Sequence, residues 1–105
     1  MPFVTVFVEQ TEIDEAVERV ISQFGPEVVH VNYNVGLDTS DEPCIRFRVV
    51  LTDEAAQLDV LSVTTQRIQS QVWKDLDPFG KWGFYPYLNF RSASEQAKLQ
   101  SPEWA

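Results

Sequence analysis

The order of apolar patterns along the chain predicts an α+β protein of the ferredoxin-like βαββαβ class. Its antiparallel sheet is expected in the order 4-1-3-2, with both helices on one face. Three observations carry this. Four runs rich in β-branched and aromatic residues, Phe3–Val8, Val28–Val35, Cys44–Leu51 and Phe84–Arg91, read as strands. Two segments with helical periodicity separate the first run from the second and the third from the fourth. A length of 105 residues suits a single core. The chain therefore reads as one domain, with 1–91 as the core and 92–105 as a short C-terminal helix and a loose tail.

Phe3–Val8 (FVTVFV) is apolar on both faces, which places it centrally in the sheet. Thr11 then opens the first helix, with Thr11-x-x-Asp14 in the pattern of a capping box. Ile13, Ala16, Val17, Val20, Ile21 and Phe24 recur at the spacing of one helical face. Glu12, Asp14, Glu15 and Glu18 fall off that face, near the positive end of the helix dipole. Gly25-Pro26 ends the helix.

Val28–Val35 alternates, with Val29, Val31, Tyr33 and Val35 opposite Val28, His30, Asn32 and Asn34. Cys44–Leu51 alternates too, with Ile45, Phe47, Val49 and Leu51 opposite Cys44, Arg46, Arg48 and Val50. The polar stretch Gly36–Pro43 between them makes a hairpin with a long loop. Thr52 or Asp53 is expected to cap a long second helix running through Lys74, with Leu58, Leu61, Thr65, Ile68 and Val72 as its stripe. Phe79–Gly83 reads as a loop. In the last strand Phe84, Pro86, Leu88 and Phe90 oppose Tyr85, Tyr87, Asn89 and Arg91, and Pro86 argues for a sheet edge. Ser92-x-x-Glu95 caps the terminal helix.

Composition narrows the function classes. Sixteen acids against eight bases give a net charge of -8 and a pI near 4.4. Binding to nucleic acid needs basic surface to displace counterions, so nucleic acid is not the expected partner. The same charge argues against an anionic membrane, and the N-terminus MPFVTVFVEQ shows neither a basic n-region nor a cleavage site. Cys44 is the single cysteine, which excludes an internal disulfide and points to a reducing, cytoplasmic setting. No metal site is expected: one histidine without HxxxH spacing supplies no ligand set. No cofactor is expected, because the four glycines, 25, 36, 80 and 83, form neither GxGxxG nor a P-loop.

With helices on one face only, the other sheet face is the place for function. Alternation puts His30, Asn32, Asn34, Arg46, Arg48, Tyr85, Tyr87, Asn89 and Arg91 there, three bases and no acid. Tyrosine and arginine are favoured at protein interfaces. The stretch 79–91 is also aromatic, with Phe79, Trp82, Phe84, Tyr85, Tyr87 and Phe90. An RNA-recognition sheet is not expected, because CIRFRVVL lacks the glycines of that signature and Phe47 falls on the core face. The expectation is a non-catalytic interaction or regulatory module, homodimeric through the open face and the 79–91 segment. The acidic first helix offers a second surface to a basic protein partner. One alternative is a small enzyme of the dimeric α+β barrel type, with His30 as general acid-base among Asn32, Asn34 and Tyr87. A second alternative is a small-ligand sensor domain.

Overall fold

Strict alternation makes Cys44–Leu51 the spine of the molecule. In the computed structural model, which describes residues 10–100 and 102–104, this segment is strand β2 (Pro43–Leu51) at the centre of a three-stranded sheet. Strand β1 (Val28–Leu37) runs antiparallel to it, and strand β3 (Tyr85–Ser92) runs parallel to it on the other side. Ile45, Phe47, Val49 and Leu51 are all at most 1 % exposed and form the sheet side of one apolar core.

Helix α1 (Gln10–Ile21) supplies Ile13, Ala16, Val17 and Val20 to that core, and Phe24 follows from the turn after it. Gly25 takes φ +98, a left-handed conformation that favours glycine, and stops the helix as expected. Helix α2 (Leu58–Gln71) adds Ile68. It continues into one wide π turn, Val72–Leu76, which buries Val72 and Leu76. Asp77 closes the turn by donating its N–H to the Val72 carbonyl at 3.0 Å. Helix α3 (Pro78–Trp82) and helix α4 (Ala93–Leu99) complete the order, followed by a 3-10 turn at Pro102–Trp104.

The α+β class is as expected, but several finer expectations are corrected. The order 4-1-3-2 separates the third and fourth expected strands, whereas β2 and β3 pair directly, Ile45 with Pro86 and Phe47 with Leu88. That parallel pair also makes the sheet mixed rather than antiparallel. The first expected strand, Phe3–Val8, lies outside the described residues. Pro86 is consistent with an edge, since β3 has one partner strand among the described residues.

Asp14 caps nothing. It accepts the Tyr33 hydroxyl proton across to β1, which pins α1 over the sheet. The second helix starts at Leu58 rather than after Thr52 or Asp53. Thr52 Oγ1 accepts only the Ala55 N–H, and Asp53 is drawn away to the N–H and hydroxyl of Ser94. Leu58 consequently stands 92 % exposed, and Thr64, not Thr65, faces inward. Phe79–Gly83 is no loop: Asp77 accepts the Gly80 N–H as N-cap, Pro78 sits in the first turn and Gly83 at φ +75 ends α3. The connection between β1 and β2 is short, 38–42, and Asp38 ties it by accepting the N–H groups of Ser40 and Glu42.

Candidate functional site

Register decides what shares a face. The second sheet face is built as rows across β1, β2 and β3: Gly36–Cys44–Tyr85, Asn34–Arg46–Tyr87, Asn32–Arg48–Asn89 and His30–Val50–Arg91. All nine residues placed there by alternation stand together on it. Val29 does not follow the pattern. The register slips between Val28 and His30, so the extra residue Val29 turns out, 57 % exposed, and Val28 joins the core edge.

The lower row is covered by the chain itself. Trp104 is only 9 % exposed and lies with Arg91 stacked on its ring, the guanidinium carbon 4.3 Å from the centroid. Val29, His30, Val50, Ala93 and Ala97 line a shallow groove with it. The expected loose tail is thus corrected: Pro102–Trp104 is a 3-10 turn seated on the sheet. A cation over a large ring and an apolar floor hold it. Arg91 also donates to Gln96 Oε1 at 3.0 Å, tying β3 to α4. His30 is exposed. Asn32, Asn34 and Tyr87 lie in other rows, so one chain does not assemble a proton-transfer geometry around it.

The upper rows are open. Trp73, swung outward at the π turn, meets Tyr85 edge-to-face at 5.4 Å, and Tyr85 meets Tyr87 at 5.0 Å. The three rings form a continuous string and are 40 %, 46 % and 38 % exposed. The rest of the aromatic stretch divides. Trp82 and Phe84 are core, Phe90 packs partly against it, and Phe79 is exposed. Trp73 was not singled out in the sequence, where it reads as an outer helix residue.

The polar groups of these rows are arranged around the β1–β2 turn. Tyr87 donates its hydroxyl to Asp38 Oδ2 at 3.0 Å. The N–H groups of Glu42 and then Ser40 hold the Asp38 carboxyl below its ordinary value, and Tyr87 adds to this. Arg46 donates to the Leu37 carbonyl at 3.1 Å, and Arg48 donates to Asn34 Oδ1 at 2.6 Å. Both acceptors are neutral. The thiol of Cys44 is buried on this face, and burial pushes it up.

Elsewhere, a groove of about 550 Å³ runs between β3 and α2, lined by Leu51, Leu58, Leu61, Leu88, Phe90 and Arg91 among others. Glu12, Glu15 and Glu18 are exposed on α1, as the acidic-helix reading expects. Among the described residues no three His, Cys, Asp or Glu side chains are grouped to hold a metal ion, and no helix is long and apolar enough to cross a membrane. Comparison with family models, curated proteins and solved structures finds no match to this chain.

Proposed function

We propose that this chain is a cytoplasmic, non-catalytic interaction module that pairs with a second copy through the upper rows of its open sheet face and the aromatic residues of segment 79–91. One observation carries the reading: the string Trp73–Tyr85–Tyr87, three contacting and partly exposed rings on the π turn and β3. Clustered aromatics of this kind are the anchors of protein interfaces. Helices α1 and α2 serve the core face of the sheet, and the upper rows of the other face are left for contact.

The test is solution mass by light scattering across a concentration series. A dimer gives about 24 kDa, twice the 12.1 kDa chain. Tyr85→Ala shifts the series toward the single chain while far-UV circular dichroism stays unchanged. A mass of one chain at every concentration refutes the reading.

A second reading, a small-ligand sensor, draws support from the groove beside β3, whose volume of about 550 Å³ falls in the range of ligand sites. A ligand bound there raises the melting temperature by mass action. A flat response across a metabolite panel counts against it.

A further inference from the structure

Two sets of charge that form no salt bridge among the described residues lie at the turn end of the open face. The first is the pair Arg46 and Arg48, two positions apart on β2 and on the same side of the sheet. Their guanidiniums donate to the Leu37 carbonyl and the Asn34 amide, and Arg46 also lies in the field of the Asp38 carboxylate, which the turn N–H groups and Tyr87 already engage. The ion pair found among the described residues is Arg67–Glu27, elsewhere on the molecule. The second set is Asp41 and Glu42 in the turn. Both are exposed, and neither side chain has a hydrogen-bond or ionic partner among the described residues. Asp38, bonded at once to Tyr87 on the face and to the turn N–H groups, holds the turn against the rim of that face. The turn that carries Asp41 and Glu42 is thus held, through Asp38, at the end of the sheet where the arginine pair and the tyrosines stand.

A patch with both signs next to each other is self-complementary about a twofold axis, where residue i meets j and j meets i. An axis through the arginines would set like charges opposite each other, which is unfavourable. An axis between the arginines and the turn sets each arginine pair against the other copy's acids. Resting on the self-association proposed above, we infer that the second copy is seated by exchange of these charges, Arg46 and Arg48 of each chain meeting Asp41 and Glu42 of the other across the Tyr85–Tyr87 centre. The C-terminal turn already occupies the lower row, so the contact is confined to three rows of three strands. That is a patch of roughly 15 Å by 20 Å from strand spacing and rise. It falls well short of the roughly 800 Å² per partner of a standard interface, so the dimer is weak and depends on concentration and salt.

The experiment is a charge-swap complementation on the full chain, read by native mass spectrometry and light scattering. One variant carries Arg46→Glu and Arg48→Glu. The other carries Asp41→Asn and Glu42→Arg; asparagine is chosen because Asp41 sits at φ +60, which asparagine tolerates. Each variant alone runs as a single chain, and the equimolar mixture forms a dimer containing one of each. If the parent is a dimer and both variants remain dimers, the charge exchange is overturned and the self-association stands. Two single-chain variants that do not pair on mixing also overturn it. A parent that never dimerises overturns both. Should a double variant fail to fold, Arg48→Gln and Glu42→Gln replace the pairs. Each is expected to weaken the dimer about fivefold, and unchanged association for both overturns the inference.

Discussion

Replacing Trp104 by alanine tests whether the chain's end is part of the fold or an ornament on it. The indole is 9 % exposed, so nearly all of its surface leaves water on docking. A tryptophan buries roughly 200 Å², worth about 5 kcal/mol at about 25 cal/mol per Å². The Arg91 guanidinium 4.3 Å from the ring adds to this, by about 1 kcal/mol for a partly desolvated cation–π pair. Ordering the few residues that follow α4 costs about 1–2 kcal/mol each and takes back most of the gain. A net loss of about 2 kcal/mol is expected for Trp104→Ala, within the usual range for removing a buried side chain. Urea unfolding followed by circular dichroism measures the total. Hydrogen exchange locates it: amides of α4 and of Val29–Val31 lose protection, while those of β2 from Ile45 to Val49 keep theirs. A variant whose urea midpoint and exchange pattern equal the parent's would refute the docking argument, whatever the geometry suggests.

Ser92→Ala removes one half of a capping box in which Ser92 Oγ accepts the Glu95 N–H at 3.1 Å and Glu95 accepts the Ser92 N–H at 3.0 Å. A loss of about 1 kcal/mol is expected, seen in thermal unfolding together with faster exchange in α4; a loss confined to core amides would contradict the assignment. Asp38 supplies the pH prediction. Its carboxyl is held below the ordinary value of 3.8 by the Glu42 N–H, then the Ser40 N–H. A depressed group stabilises the fold above its unfolded value and gives that up as pH falls through the folded one. The amide resonances of Ser40 and Glu42 are therefore expected to shift with a midpoint below 3.8, and an NMR titration with a midpoint at or above that value contradicts it.

The open face was legible because a strand's side chains alternate with period two, and that rule needs no knowledge of neighbours. His30 through Arg91 could be sorted to one face from local pattern alone. Strand order is not local in this sense. Nothing in CIRFRVVL or FYPYLNFR says whether the two segments pair directly, and the parallel pairing of Ile45 with Pro86 joins residues far apart in the chain. The slip at Val29 was hidden for a related reason: a single extra residue leaves the pattern on either side intact. The late start of α2 depends on Asp53 finding Ser94, a contact that a sequence separation of 41 conceals. The seat of Trp104 on Arg91 was hidden as well, because it required the sheet to exist first.

The mixed sheet has a consequence for the path by which the chain folds. β1 and β2 are joined by a short turn, with Val35 opposite Ile45 only ten residues on. β2 and β3 are joined through all of α2, the π turn and α3, so Ile45 meets Pro86 only after a 41-residue excursion. Closing the shorter loop costs less chain entropy. The hairpin is expected to form early, and the arrival of β3 to limit the rate. In φ-value terms, a conservative change at Val35 should slow folding, while one at Leu88 should mainly hasten unfolding. The same order keeps Tyr85 and Tyr87 from reaching the sheet until the last stage, so the aromatic surface would be completed only as folding ends.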